Sequence, residues 1–474
     1  MKVIRNYLYN VGYQILAMIL PLITAPYVSR VLTPKGYGLN TYTNSIVQYF
    51  VLFGSIGIAL YGNREIAYKR SNREKMSKAF WEIQILKVIA IVISSVSYLI
   101  FLNFYRVNHV LMLFQMINIF AAAFDISWFF MGIEDFKRTV IRNTLVKLVS
   151  LVLIFTFVRK TEDLPLYILI LGGSLLIGNL TLWPPLKKEL VKVRISSLRP
   201  MRHLRATIGL FIPQIATQIY VVLNKTMLGA MAGPVSAGFY FSADNLIKVV
   251  LSVVTATGTV MLPHAASAFA EGKIGKTKEY LYVSFDFVSL IAIPMAFGLA
   301  AVGLKLGPFF YGKGYAPVGI AIFLEAIVII LIGWSNVLGT QYLLPTKRVK
   351  QYTSSVIVGA CVNIVLNIPL IYFWGLKGAI ISTVISEACV TSYQVFILRK
   401  IIKLSRLFRN VYKYILASFC MFLVVFFINK TIFMNFLSLL LEVIVGIAIY
   451  TAIIFITKPS ILKNIKDMLG KEGE

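Results

Sequence analysis

Stretches of about twenty apolar residues recur along almost the whole 474-residue chain, and that recurrence leaves few folds open. An α-helix rises 1.5 Å per residue, so about twenty residues cover a ~30 Å hydrocarbon core. Composition agrees: 58% of residues are hydrophobic and 14% charged, with a mean hydropathy of +0.80. Ordinary soluble proteins are roughly 45–50% apolar and about 25% charged. A water-soluble globular enzyme is excluded, and so is disorder, which needs low hydrophobicity. The chain reads as a polytopic all-α integral membrane protein.

The spacing predicts fourteen transmembrane helices. The first six lie near 8–28, 40–61, 80–102, 110–132, 140–158 and 165–184, and the next six near 207–231, 237–262, 280–303, 317–339, 353–374 and 378–398. A final pair covers 413–428 and 432–457. Basic residues sort between alternate loops, thirty-three on one side against nine on the other, with five more inside spans. That is a strong positive-inside bias and predicts both termini on the cytoplasmic side. The net charge of +28, from 47 Lys+Arg against 19 Asp+Glu, would suggest nucleic acid on a soluble chain. Confined to short loops between apolar blocks, it is better explained by orientation and anionic membrane lipid, and no nucleic-acid partner is expected.

The N-terminal Lys2, Arg5 and Leu8 to Val28 stretch resembles a signal peptide. Its apolar part exceeds the usual ~7–15 residues and no small-residue cleavage site follows, so a retained first span is expected. Cys361, Cys389 and Cys420 all fall inside apolar blocks without metal-ligand spacing, as small core residues would.

The longest polar connection divides six spans from six. The expected organisation is an N-terminal six-helix lobe at 1–186, a cytoplasmic linker at 187–206, a second six-helix lobe at 207–400, and two additional helices with a basic tail at 401–474. The halves echo each other: Pro34 precedes Gly38-Leu-Asn-Thr-Tyr-Thr-Asn44, and Pro234 precedes Gly238-Phe-Tyr-Phe-Ser-Ala-Asp244 at the same spacing. Duplicated halves around a central path are a common transporter plan.

Charges inside the spans are the candidate functional residues, because burying one at the bilayer centre costs about 2.5–3.5 kcal/mol on insertion scales. The cations are Lys87, Arg142, Lys147, Lys225 and Lys248; the acids are Asp125, Asp244, Asp286, Glu325, Glu387 and Glu442. Each has a plain alternative. Asp244 and Lys248, four apart, can neutralise each other. Arg142 can snorkel to the interface, as can Lys87 and Lys147 over a longer reach. Lys225 has no acid at helical spacing and is expected to face water or ligand. Glu387 and Glu442 are either bonded to neighbouring helices or proton-accepting. Arg30, at the outer end of the first span, either joins the cationic surface or anchors its helix. The embedded cations fall in spans three, five, seven and eight. A cationic cavity with low-dielectric walls attracts a multiply negative ligand such as pyrophosphate.

Trp81, Trp128, Trp183 and Trp374 lie near predicted span ends, as an aromatic interfacial belt would place them. Tyr37, Tyr42, Tyr49 and Tyr61 cluster around the second span, where some could stack on sugar rings. Pro21, Pro213, Pro294 and Pro369 inside spans fit bent helices. Catalysis finds no support: the three histidines form no HExxH zinc pattern, and no GxSxG elbow or Walker loop occurs. Neither an enzyme nor a metal site is expected.

Ordered along the spans are Ser29-Arg30-Val31-Leu32, Pro34-Lys-Gly-Tyr-Gly38, Gly57-Ile-Ala-Leu-Tyr-Gly62 and Arg64-Glu-Ile-Ala67. Tyr311-Gly-Lys-Gly-Tyr-Ala316, Leu344-Pro-Thr-Lys-Arg348, Tyr352, Asn363, Asn367, Gly375-Leu-Lys-Gly-Ala379 and Glu387 follow. In this order the chain resembles the polysaccharide (O-antigen, capsule or exopolysaccharide) repeat-unit flippases of the MOP exporter superfamily, relatives of the MATE transporters.

The resemblance implies two six-helix lobes around a central cavity plus two C-terminal helices. It implies a bacterial cytoplasmic-membrane protein that carries undecaprenyl-pyrophosphate-linked oligosaccharide from the inner to the outer leaflet by alternating access. Arg30 fits the family motif; Lys87, Lys147, Lys225 and Lys248 are assigned to the same cationic cavity from position. The expected coupling ion is H+ or Na+, with Asp125, Asp244 and Glu387 as candidate acids and no other cofactor. Partners consistent with this role are membrane lipids, a polysaccharide polymerase and a chain-length regulator. A lipid II flippase, a cation-coupled drug exporter and a membrane polymerase or ligase remain as rival readings.

Overall fold

The computed structural model describes residues 2–460, with side chains described from residue 16 onward except at 17, 210, 212–217, 219–221, 257, 259 and 260. The Pro213 ring, the side chains of Lys2 and Arg5, and the basic tail beyond residue 460 lie outside the described residues. Among the described residues the regular structure is helical and no strand occurs. The chain divides into two compact units, Met1–Ala230 and Met231–Glu474.

The first unit holds α1 (Lys2–Ser55), α2 (Ile58–Lys69), α3 (Arg73–Phe104), α4 (His109–Gln115), α5 (Ile117–Phe124), α6 (Ser127–Gly132), α7 (Phe136–Phe157), α8 (Leu164–Leu180), the single turn α9 (Leu186–Glu189) and, except for its last residue, α10 (Leu204–Met231). α1 is two helices joined at Thr33, whose backbone is non-helical (φ 59°, ψ 170°). Pro34 follows, and a proline drives the residue before it out of the helical region. Asn72 opens α3 by accepting the Lys75 amide (3.0 Å), one of the donors a helix start leaves bare. α1 packs along α3, α4, α5 and α7, while α2 lies on α3 and α6. The α2–α6 contact requires glycine at 62, because a Cβ there would lie 2.4 Å from the Trp128 ring.

The second unit holds α11 (Pro234–Ala270), α12 (Ile274–Tyr311), α13 (Ala316–Glu325), α14 (Val328–Ser335), a π-helical turn (Asn336–Leu343), α15 (Val349–Trp374), α16 (Leu376–Leu398), the short α17 (Leu404–Leu407), α18 (Val411–Thr431) and α19 (Phe436–Thr457). α12 is its hub and packs on α11, α13, α14 and α18. Its Asp286 accepts from Asn410 (2.8 Å) and from the Tyr414 hydroxyl (2.7 Å), fixing α18 against it. Gly307 meets Gly319 of α13 so closely that an added Cβ would lie 2.4 Å from the Gly319 nitrogen. Small residues allow such approach between apolar helices in lipid. α15 and α16 are joined in the same way, by Gly378 against the Leu370 carbonyl and by the buried Asn363, Asn367 and Ser382 side chains.

Eleven helical stretches among the described residues are long and apolar enough to cross a membrane, and twelve if α13 and α14, bent by 43°, count as one. The expected fourteen is not reached by that measure. One of the eleven, Met18–Lys69, is 52 residues long and contains the break at Thr33.

The two sequence echoes share a backbone joint. Thr33 before Pro34 has φ 59° and ψ 170°; Gly233 before Pro234 has φ 87° and ψ 157°. In both, a residue at positive φ hands the chain to a proline that begins a helical run.

Candidate functional site

The α5–α6 break exposes several carbonyls that a continuous helix would have used. Side chains from α3, α8 and the turn after α8 take them up. Asn179 donates to the Ala121 carbonyl (2.7 Å), Gln84 to Ala123 (2.8 Å), Trp183 to Phe124 (2.9 Å) and Lys87 to Asp125 (2.5 Å). The Asp125 carboxylate accepts the Ser127 amide (2.9 Å) and faces the Arg142 guanidinium at 3.7 Å. Arg142 is buried and also donates to Asn179 Oδ1 (2.8 Å). Asp125 thus meets two basic side chains, Lys87 at its main-chain carbonyl and Arg142 at its carboxylate.

This geometry changes the reading of several residues. Lys87, expected in a cationic cavity or snorkelling, is buried at 4% exposure and spends a hydrogen bond on the broken helix. Arg142, expected to reach the interface, turns inward, because Asn179 and Asp125 are nearer partners than water. Trp128 is not at an interface: it is buried against Phe80, with ring centroids 5.5 Å apart. Trp374 is exposed, in keeping with a belt position. Tyr37, Tyr42 and Tyr61 are buried, and Tyr42 bonds Tyr105 (2.8 Å), so none of the three presents a ring face for a sugar. Cys361 is exposed while Cys389 and Cys420 are half-buried, so the cysteines sit at helix surfaces and not in a core.

Other candidates stay more accessible. Arg30 is exposed near the Thr33 break, and its guanidinium reaches the Pro26 carbonyl (3.0 Å). Lys147 on α7 and Lys225 on α10 are half-buried. In the second unit, Lys248 bonds Asp244 at 2.6 Å, the (i, i+4) neutralisation that the spacing allowed. Glu387 is buried on α16.

Beside the Asp244–Lys248 pair is a further acid, Glu325. Glu325 ends α13 at the 43° bend, is 1% exposed, and has one carboxylate oxygen without a hydrogen-bond partner. The charges it feels are Asp244 and Lys248. A lone acid in the apolar run 316–339 was the available signal.

Glu82 belongs to none of the motifs named above. It is fully buried on α3 and gathers the polar connection after α9. It accepts the Arg199 amide (2.8 Å), the Arg202 guanidinium and His203 Nε2 (3.0 Å), while the Tyr61 hydroxyl meets His203 Nδ1 (2.6 Å). Burial, only partly offset by Glu82, holds the His203 imidazole below its ordinary value of 6.5. Arg202 Nε also donates to His203 Nε2 (3.2 Å), so the ring is held from both nitrogens. The polar connection is thus a packed strap on the first unit.

Comparison with known proteins fits this architecture. Residues 3–269 match the family described as polysaccharide biosynthesis protein. A protein named "Putative O-antigen transporter" from Escherichia coli K12 is 24% identical over 83% of this chain and 96% of its own. Lipid II flippase MurJ of Bacillus subtilis is 22% identical over 41% of this chain and 37% of its own. Among solved structures, lipid II flippase MurJ in an inward closed conformation superimposes with a TM-score of 0.76 at 14% identity, covering 95% of this chain and 98% of that one. An inward-facing multidrug MATE transporter of the MOP superfamily gives 0.62 at 13% identity, covering 82% and 96%. The chain belongs to the polysaccharide biosynthesis protein family and is a multi-pass membrane flippase with the fold of the MOP superfamily.

Proposed function

We propose that this flippase moves undecaprenyl-pyrophosphate-linked oligosaccharide repeat units from the inner to the outer leaflet of a bacterial cytoplasmic membrane, by alternating access and with both termini cytoplasmic. The finding that carries the reading is the match, over 83% of this chain, to the relative named "Putative O-antigen transporter". The chemistry adds support. Arg30, Lys147 and Lys225 are accessible or half-buried basic side chains on long helices of the first unit. A pyrophosphate crossing a low-dielectric layer needs such partners. Lys87 acts as a brace behind them, and Lys248 is held by Asp244.

Coupling to an ion gradient belongs to the same proposal. Asp125 faces Arg142, and Asp244 is engaged by Lys248. Glu387, the third candidate acid, is buried on α16, and the coupling role is assigned instead to Glu325, which has a carboxylate oxygen without a hydrogen-bond partner, with a proton as the ion. Lys248 disfavours a second cation beside it, whereas a proton needs no coordination shell.

A second reading, transport of lipid II, is favoured by the likeness to MurJ across 95% of the chain. One experiment separates them. Expressed in a strain lacking its own repeat-unit flippase, the protein should restore surface polysaccharide, and it should fail to rescue a strain depleted of MurJ. Rescue of the second strain alone would transfer the assignment to lipid II.

A further inference from the structure

An apolar groove of about 430 Å³ opens on the surface of the first unit. Its walls include Phe53 from the end of α1, Leu86, Ile89 and Ile93 from α3, Met201 from the strap and Leu204 at the start of α10. Phe53, Ile93 and Met201 are each at least half exposed, so the trough faces outward. Residues 82, 86, 89 and 93 of α3 follow 4-3-4 spacing and share one helix face. The head of that stripe is Glu82, which holds Arg202 and the Arg199 backbone. The polar anchor is thus one helical turn from the first apolar wall.

Charge at this end is unbalanced. Glu82 is buried beneath the strap and compensates Arg202, whereas Arg199 and Arg205 are exposed and make no ion pair among the described residues. Along α3 the lining runs from Leu86 to Ser97, roughly 16 Å at 1.5 Å per residue. That is about half of a ~30 Å hydrocarbon core, the share of one leaflet. A trough one leaflet deep, whose wall residues Met201 and Leu204 are chain neighbours of the exposed Arg199 and Arg205, has the polarity of a single phospholipid, and it is far shorter than a long polyprenyl chain.

We propose that this groove binds one acyl chain of an anionic phospholipid, with the headgroup phosphate meeting Arg199 and Arg205. The site is separate from the cationic residues assigned to cargo. The lipid would touch the end of α1, α3 and the strap together, so its occupancy would steady the strap against α3.

The test is native mass spectrometry of the full chain released from nanodiscs containing equal phosphatidylglycerol and phosphatidylcholine. Wild type should retain phosphatidylglycerol several-fold over phosphatidylcholine. The Arg199→Ala/Arg205→Ala pair, exposed and therefore expected to fold, should lose that preference, while Lys187→Ala/Lys192→Ala on the same connection should keep it. Ala90→Trp, which fills the groove from α3, should lower retention of both lipids. Four results would each overturn the proposal: no headgroup preference in wild type, an equal loss in the Lys187/Lys192 control, unchanged retention in both the arginine pair and Ala90→Trp, or preferential capture of added undecaprenyl phosphate.

Discussion

Lys87 on α3 donates to the main-chain carbonyl of Asp125, thirty-eight positions further along, at the point where α5 gives way to α6. A cation that looks like a ligand contact in the sequence is spent on repairing a broken helix. Replacing it removes both a hydrogen-bond donor and a charge beside Asp125. A hydrogen bond made by a charged group typically contributes about 1.5–3 kcal/mol. Lys87→Met should therefore lower the melting temperature in detergent and the amount of protein in the membrane. An unchanged melt with abolished transport would return Lys87 to the cargo site.

Lys147 and Lys225 should behave in the opposite way. Lys147→Ala and Lys225→Ala should leave yield and melting temperature near wild type while transport of the lipid-linked substrate falls about tenfold, the equivalent of ~1.4 kcal/mol of lost charge–phosphate interaction. Flipping of a labelled repeat unit in proteoliposomes reads this directly. Full activity in both variants would remove these residues from the substrate path.

Glu325→Gln tests the coupling assignment, since the amide keeps the shape of the carboxylic acid but cannot exchange a proton. Protein level should hold, and transport should lose its dependence on an imposed pH gradient. A variant that still responds to the gradient as wild type does would exclude Glu325.

The strap gives a prediction about pH. Burial keeps the His203 imidazole below its ordinary 6.5, so the folded state resists a proton that the unfolded chain accepts. The contribution is whole above about pH 6.5 and is lost as pH falls from there through the folded value. The slope is at most about 1.36 kcal/mol per pH unit for one group. Melting temperatures from pH 7.5 to 5 should fall in wild type and fall less in His203→Gln. Parallel curves would show that another group titrates.

Much of the fold was legible because its determinants are local. Apolar runs of spanning length became helices, and Asp244–Lys248 paired as their four-residue spacing allows. Several motifs that carried the family resemblance turn out to be packing devices: Gly378 against Leu370, Asn363 with Ser382, and Gly62 under Trp128. What stayed hidden was set by distant partners. Nothing near Arg142 announces Asn179, and nothing near Glu82 announces Arg202 and His203, 120 residues on. The bend at Glu325 has no proline or glycine within three residues to mark it. The charged positions were therefore visible in advance, but their division between bracing and transport was not.

The paired joints at Thr33–Pro34 and Gly233–Pro234 carry a mechanical consequence. Proline has no amide hydrogen, so a helical run that begins on it has one fewer main-chain bond to surrender when its entry angle changes. Each unit can flex at this corner with one fewer backbone hydrogen bond to break. Side-chain fit around the corner, more than bond rupture, would then set how fast it turns, and the threonine in the first copy makes that corner the stiffer of the two.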